Sequence, residues 1–187
     1  GVYYDDNGKL PLLACVQAAE KSMMETPKPR GYLPIDGIAA YDAGVKALVF
    51  GADSEPVKSG RVATVQAIGG TGGLKIGADF LKKLNPNAKV LISDPSWENH
   101  RAIFQNAGFE VDTYAYYDAA KRGVNFDGML QSLRSAAPGT IVVLHACCHN
   151  PTGYDITAAQ WLQVIAACKA RQLVPFLDMA YQGFGYG

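Results

Sequence analysis

The stretch Leu173-Val-Pro-Phe-Leu-Asp178 is a short apolar run that ends in an acid. A run of this length and composition predicts a buried strand, Val174–Asp178. A second such run, Thr140–Ala146, ends just before His149-Asn-Pro-Thr-Gly153. Open α/β sheets bind their ligands at the edge where the carboxyl ends of the strands meet. The sequence therefore predicts that an acid, an amide and the phenol of Tyr181 reach this edge.

Strand-like and helix-like segments alternate on the amino-terminal side of these two runs. Predicted strands cover Val62–Ile68, Lys89–Ser93 and Glu110–Tyr116, and predicted helices cover Leu74–Leu84, a segment ending at Ala107, Phe126–Ser135 and Ala158–Arg171. Such alternation with short connections is typical of the α/β class, with a mostly parallel sheet sandwiched by helices. Residues 61–187 are therefore expected to form this domain. Residues 1–60, with predicted helices Leu12–Met24 and Ile38–Phe50, are expected to form an N-terminal arm and lead-in helices.

The composition excludes several classes of partner. The chain carries 17 basic and 17 acidic side chains, so no electrostatic footprint for nucleic acid or an anionic membrane is expected. No apolar run approaches the ~20 residues that span a bilayer. The four cysteines show neither a CxxC pair nor a disulfide framework, which favours reduced thiols in a cytoplasmic protein.

Gly69-Gly-Thr-Gly-Gly73 lies between a predicted strand and a predicted helix. Glycines let backbone amides approach a phosphate, and the following helix adds partial positive charge, but tight packing explains the same glycines. The segment lacks the lysine of a Walker loop and the third glycine of a dinucleotide fingerprint. A nucleotide-binding domain is therefore the less favoured alternative.

Asp178 and Trp97 each allow two interpretations. A desolvated aspartate at a strand end needs a cationic or hydrogen-bonding partner, which is either a protonated ring nitrogen of a ligand or a nearby histidine or helix terminus. Trp97 follows a strand and either stacks on a flat ring or packs in the core.

The segment His145–His149 allows a metal site or a thiol beside its base, but neither has a further ligand or orienting residue in the sequence. Buried cysteines on a core strand are the preferred interpretation, and no metal is predicted. Pro151 restricts the backbone of Asn150 to an extended conformation, which would fix the Asn150 amide at the sheet edge.

The order and spacing of these segments resemble the class I pyridoxal-phosphate (PLP) aminotransferases, in the aspartate and aromatic amino acid family. The strings that carry the resemblance are Tyr32–Gly37, Gly69–Gly72, Asp94–Trp97, Cys148–Gly153 and Ala180–Phe184. The resemblance covers residues 1–187 and implies an incomplete PLP-transferase large domain of fold type I. The Schiff-base lysine and the arginines that hold substrate carboxylates are then expected after Gly187, because none of the eleven lysines here sits in a matching motif.

The resemblance implies a role for each matching residue. Gly70 and Thr71 bind the cofactor phosphate, and Trp97 stacks on the pyridine ring. Asp178 pairs with the ring nitrogen, while Asn150 and Tyr181 hydrogen-bond the phenolic oxygen of the ring. By the same resemblance, the catalytic residues present are Asp178, Tyr181 and Trp97.

Further roles follow from the same resemblance. Tyr32 reaches the phosphate of the neighbouring subunit, which implies a homodimer with shared active sites. Gly1, Trp97 and Asn150 lie near the substrate, and His100 and His145 lie near Asp178.

The implied activity belongs to amino acid metabolism. It is transfer of an amino group between aspartate or an aromatic amino acid and 2-oxoglutarate, and Val62–Gln66 and Pro175–Tyr181 favour the bacterial aromatic branch. Another fold type I PLP enzyme, a lyase or decarboxylase, and a non-catalytic fragment are the alternatives.

Overall fold

The computed structural model describes residues 2–185. The chain divides into two compact units, residues 1–66 and 67–187. The first unit holds three helices, and the second holds the sheet with the helices that cover it.

The first unit contains α1 (Ala14–Glu25), α2 (Ala39–Phe50) and the short α3 (Glu55–Lys58), of which α3 was not predicted. Between α1 and α2 the chain is irregular, and its end, just before α2, is hydrogen-bonded to the segment that follows α3. There Gln66 donates its backbone N–H to the Asp36 carbonyl at 2.9 Å, and its side-chain oxygen accepts from the Ile38 amide at 3.0 Å. Gly37 lies directly on Gln66 with a φ of +102°, so only glycine fits this turn.

The strand predicted at Val62–Ile68 is wrong. This segment alternates between exposed and half-buried residues, as an edge strand does, but it forms no ladder with any described strand. Alternation indicates an extended backbone, whereas a strand also needs a hydrogen-bonded neighbour.

The second unit is built on a four-stranded parallel sheet. Its strands are β1 (Lys89–Asp94), β2 (Glu110–Ala115), β5 (Ile141–His145) and β6 (Val174–Asp178), in the order β2-β1-β5-β6. The chain moves outward from β1 to β2 on one side and from β5 to β6 on the other. The order therefore reverses between β1 and β5, which is the place where ligands bind in such sheets. A two-stranded hairpin, β3 (Tyr117–Asp118) with β4 (Gly123–Val124), was not predicted.

Helices cover both faces of the sheet, as the sequence predicted. Helices α4 (Gly69–Leu84) and α5 (Glu98–Asn106) pack on one face through Val90, Ile92, Ile141 and Val143. Helices α6 (Phe126–Ser135) and α7 (Ala158–Arg171) pack on the other face through Val142 and Leu144. Alternate residues of β5 thus belong to opposite cores, because successive side chains of a strand point to opposite faces.

Helix α4 begins at Gly69, five residues before the predicted start, so the glycines form its first turns. Its far end lies at the amino ends of the strands. Lys82 Nζ bonds the carbonyl of Gly108, just before β2, at 2.7 Å, and Asn85 reaches the carbonyl of Gly139, just before β5. The glycine-rich start of α4 therefore lies toward the carboxyl ends of the strands.

Candidate active site

The centre of the candidate site is the pair formed by Asp178 and His100. Asp178 ends β6, and His100 lies in the first turn of α5. His100 Nε2 donates to Asp178 Oδ2 at 2.7 Å, and Ser96 Oγ lies 2.9 Å from the other ring nitrogen of His100. The His100 side chain is 0% exposed and that of Asp178 is 17% exposed, so part of the carboxylate faces outward.

The Asp178 carboxylate is held in its ionised form. The hydrogen bond from His100 lowers the pKa of Asp178 below its ordinary value, although burial acts in the opposite direction. Of the two interpretations that the sequence left open, the histidine partner is therefore present. The ionised, partly open carboxylate is also able to take a cationic partner from outside.

The three histidines of the chain form a row of ring contacts behind this carboxylate. The ring of His145 lies 4.9 Å from that of His100 and 4.3 Å from that of His149, each in an edge arrangement. Both ring nitrogens of His145 are buried, and neither has a hydrogen-bond partner among residues 2–185. Burial, followed by the neighbouring His100, lowers the pKa of His145 to about 4. His145 is therefore neutral at physiological pH.

His149 ends the row and is fixed on all sides. Its ring stacks on Tyr116 at 3.8 Å, and its two nitrogens lie 2.9 Å from Ser93 Oγ and 2.7 Å from Thr152 Oγ1. Burial, followed by His145, lowers the pKa of His149 to about 3. His149 is thus a neutral ring with both nitrogens engaged.

These contacts answer the two alternatives weighed for His145–His149. Strand β5 ends at His145, so the cysteines lie in a bend and not along one strand face. Within residues 2–185 no group of three or more His, Cys, Asp or Glu side chains could hold a metal ion. Because His149 already bonds Ser93 and Thr152, it does not serve Cys148 as a base.

Asp155 holds the bend that carries Asn150. Its two carboxylate oxygens accept the backbone N–H groups of Cys148 at 2.7 Å and His149 at 2.8 Å. Asn150 follows directly and is half-buried, in the turn at the carboxyl end of β5. The backbone before Asn150 is therefore fixed by side-chain bonds.

The N-terminus of α4 supplies free amide groups. Gly69 has a φ of +65°, which a glycine adopts at no cost, and no side chain caps the helix. Gly70 and Thr71 are exposed, and a Cβ at Gly70 would meet nothing within 4 Å. Open amides at the positive end of a helix dipole are suited to a phosphate group.

Of the two roles that the sequence left open for Trp97, the structure shows core packing. It packs against the core beneath α4 and α5, and its ring also meets His100 edge-on at 5.3 Å. The ring is half-buried, so part of it remains available to a ligand.

The remaining predicted site residues are Tyr181, Tyr32 and Gly1. Tyr181 is half-buried in the turn after β6. Tyr32 is fully exposed and belongs to the first unit. Gly1 lies outside the described residues. The roles given to these residues, and to the other residues of the site, stay predictions.

Sequence reasoning missed the residues that support the site. They are Ser93, Ser96, Tyr116, Thr152 and Asp155. Two of them carried a local signal, since Ser96 lies four residues before His100 and Thr152 lies three after His149. Asp155 lies six residues after His149 but matches no short-range motif, while Ser93 and Tyr116 come from distant segments and have no local signal.

Comparison with known proteins identifies the family. The model for aminotransferases of class I and II matches residues 1–187, so the chain belongs to this family, as its sequence predicted. It is similar to the aspartate aminotransferase of Pseudomonas aeruginosa, with 62% identity over 100% of the chain and 47% of the relative. It is also similar to the aromatic-amino-acid aminotransferase of Escherichia coli, with 51% identity over 100% of the chain and 47% of the relative.

A solved structure agrees with this assignment. The aromatic-amino-acid aminotransferase of Burkholderia pseudomallei, covalently bound to pyridoxal phosphate, has a TM-score of 0.95 and 67% identity to this chain. The match covers 100% of this chain and 47% of that one. The predicted fold, a mostly parallel sheet between helices, is therefore confirmed, and the chain spans about half the length of the relatives that it matches.

Proposed function

We propose that this chain forms the cofactor-binding part of a PLP-dependent aminotransferase. The observation that carries the proposal is the ionised Asp178, which pairs with His100 at 2.7 Å. Asp178 lies at the carboxyl ends of the strands, and the start of α4 lies toward the same edge. An open carboxylate suits the protonated nitrogen of a pyridine ring, and the free amides of α4 suit a phosphate. Membership of the aminotransferase family supports the same cofactor.

Each residue of the site has a proposed task. Asp178 binds the ring nitrogen and keeps it protonated, with His100 fixing the carboxylate and Ser96 fixing His100. Gly70 and Thr71 bind the phosphate. The bound cofactor accepts the electron pair that the substrate α-carbon releases, which the side chains of the protein cannot do.

Three more side chains complete the proposed arrangement around the ring. Trp97 covers one face of the ring, while Asn150 and Tyr181 bond its phenolic oxygen. Trp97 and Asn150, with Gly1, also lie near the substrate, and His145 supports the Asp178 pair as a neutral neighbour. The family resemblance supports these roles.

The proposed reaction moves an amino group between aspartate or an aromatic amino acid and 2-oxoglutarate. The test is to purify the full-length protein with PLP and to follow the oxo acid formed from aspartate, tyrosine and phenylalanine. We expect one oxo acid for each glutamate formed. Release of carbon dioxide or ammonia without amino transfer would show a decarboxylase or lyase and contradict the proposal.

The proposed assembly is a cytoplasmic homodimer with shared active sites. Tyr32 and Ile35 are fully exposed, and Leu12 and Met24 are 82% exposed, so the first unit offers apolar surface to a partner. Tyr32 would bind the cofactor phosphate of the neighbouring subunit. The cysteine spacing supports a reducing compartment. No helix within residues 2–185 is both long and apolar enough to cross a membrane.

A further inference from the structure

Gly77 lies in the middle of α4, where a glycine weakens a helix. A Cβ at this position would stand 2.8 Å from Phe176 Cε2 and 3.0 Å from Phe176 Cζ, which is too close for two carbon atoms. By contrast, a Cβ on Gly44, in the middle of α2, would meet nothing within 4 Å. Gly77 is therefore a point of close approach between α4 and Phe176 of β6, where a residue with a Cβ would force one of them to shift.

The ring of Phe176 is restrained on its other side as well. It meets the ring of Phe104 on α5 nearly edge-on, with 5.3 Å between the ring centres, and Phe104 is completely buried. Phe176 cannot move away from α4 toward α5 without displacing this packed ring. A side chain at residue 77 would therefore push α4 and the Phe176 ring apart.

Helix α5 and strand β6 carry both the contact between Phe104 and Phe176 and the pair of His100 and Asp178. His100 lies four residues before Phe104 on α5, and Asp178 lies two residues after Phe176 on β6. Four helical residues rise about 6 Å, and two strand residues rise about 6.6 Å. The aromatic pair and the His100–Asp178 pair are thus consecutive contacts of one α5–β6 interface.

Helix α4 extends from this contact toward the same edge. Gly70 precedes Gly77 by seven residues, which is two helical turns and about 10 Å, so both lie on the same side of the helix. The amides at the start of α4 are therefore held at a distance from Asp178 that depends on how closely residue 77 rests on Phe176.

We propose that Gly77 is a positioning residue, which rests on the proposed function. By lacking a side chain it sets the separation between the phosphate-binding amides of α4 and the carboxylate of Asp178. A ligand that bonds both ends at once needs this separation, and a shift below one ångström is enough to weaken it.

The test measures ligand binding to the full-length protein and its Gly77→Ala variant. The ligand is pyridoxamine 5′-phosphate, which has no aldehyde to react with a lysine. We expect its dissociation constant to rise at least tenfold. Pyridoxamine and inorganic phosphate, measured separately, should change less than twofold, because each uses one end of the site alone.

Two further variants make the test decisive. Phe176→Leu removes the ring atoms that face residue 77, so the double variant Gly77→Ala/Phe176→Leu should bind pyridoxamine 5′-phosphate more tightly than either single variant. The comparison of the double variant with Phe176→Leu alone tests the proposal even where the Gly77→Ala variant folds poorly. Gly44→Ala is the matched control and should bind as the unsubstituted protein does.

Two results would overturn the inference. One is binding of pyridoxamine 5′-phosphate by Gly77→Ala within twofold of the unsubstituted protein. The other is equal weakening of all three ligands with no recovery in the double variant, which would show a merely structural role. Failure of the unsubstituted protein to bind pyridoxamine 5′-phosphate would instead overturn the proposed function, and the inference with it.

Discussion

Replacing Asp178 tests the centre of the proposed site. Asp178→Asn keeps the size of the side chain and an oxygen that accepts from His100 Nε2, at 2.7 Å in the structure, but it removes the negative charge. A hydrogen bond to a charged group contributes on the order of 1.5–3 kcal/mol. The bond in question is the one proposed between Asp178 and the pyridine nitrogen of the cofactor. If that bond strengthens as the pyridine nitrogen becomes more basic in the transition state, its loss slows the reaction by about 10- to 100-fold.

A comparison of Asp178→Asn with Asp178→Ala separates the effect on the reaction rate from the effect on folding. Alanine leaves His100 Nε2 buried without its partner, which costs about 1–3 kcal/mol. We therefore expect Asp178→Ala to lower both the free energy of unfolding and the reaction rate. Asp178→Asn should lower the rate and should reduce the free energy of unfolding less than Asp178→Ala does, because the amide oxygen still accepts from His100 while the charge is lost.

The assay is a single turnover of the full-length, PLP-loaded protein with ordinary and α-deuterated amino acid. Proton removal at the α-carbon should become slower in both variants, with a deuterium isotope effect at least as large as in the unsubstituted protein. Binding of PLP at high concentration should persist, since Gly70 and Thr71 remain. Near-normal turnover per loaded site in Asp178→Asn would remove the Asp178 charge from the mechanism.

Three further predictions concern pH, the cofactor linkage and the assembly. His145 and His149 have folded pKa values of about 4 and about 3 against 6.5 in an unfolded chain, so the unfolded state binds more protons below pH 6.5. The free energy of unfolding should be highest above that pH and fall toward pH 4 by up to about 1.4 kcal/mol per pH unit for each histidine. Urea titrations measure this fall, and a flat profile between pH 6.5 and 4.5 would contradict it. Borohydride reduction of the 187-residue chain with PLP should label none of its eleven lysines stoichiometrically, and peptide mapping that finds one such lysine would show the assignment to be wrong. Mixing Tyr32→Phe subunits with subunits that lack the catalytic lysine should restore activity, because each shared site then carries both defects or neither; exchange of subunits without recovery would rule out sharing.

Local signals explain which elements the sequence predicted to the residue. Helix α7 starts where Thr157 and Gln160 form a capping box, and α6 starts where the Asn125 side chain accepts the Gly128 amide at 3.1 Å. Strand β6 is a short apolar run that ends at a charged residue. In each case the residues that define the boundary are neighbours in the sequence, so the pattern alone was sufficient.

The errors arise where the outcome depends on distant parts of the chain. Residues 62–68 have the alternation of a strand but no ladder partner among the described strands. The glycines 69–73 have low helix propensity, yet they form the start of α4 because Leu74 and Ala78 are anchored in the core below. Propensity predicted a loop, and tertiary packing produced a helix.

In the site too, the positions of residues along the strands were predictable, whereas the contacts between distant residues were not. That Asp178 lies at a strand end followed from the apolar run before it, and the arrival of His149 and Asn150 at the same edge followed from the parallel topology. The bond between His100 and Asp178 joins residues 78 positions apart, and only the packing of α5 on β6 brings them together. The ring contacts of His145 and Gly77's approach to Phe176 depend on packing in the same way.

The charge state of His145 and His149 affects how strongly Asp178 would attract a cation. Because burial lowers the pKa of His145 and His149, neither ring carries a positive charge at neutral pH, although His145 touches the ring that binds the carboxylate. The negative charge of Asp178 is therefore not offset by these two neighbours and stays available to a cationic ring at the open side of the site. Fully charged histidines in the same positions would compete with such a ring for the carboxylate. The burial that we expect to lower the free energy of unfolding in acid is thus the same feature that keeps these two rings uncharged beside Asp178 at neutral pH.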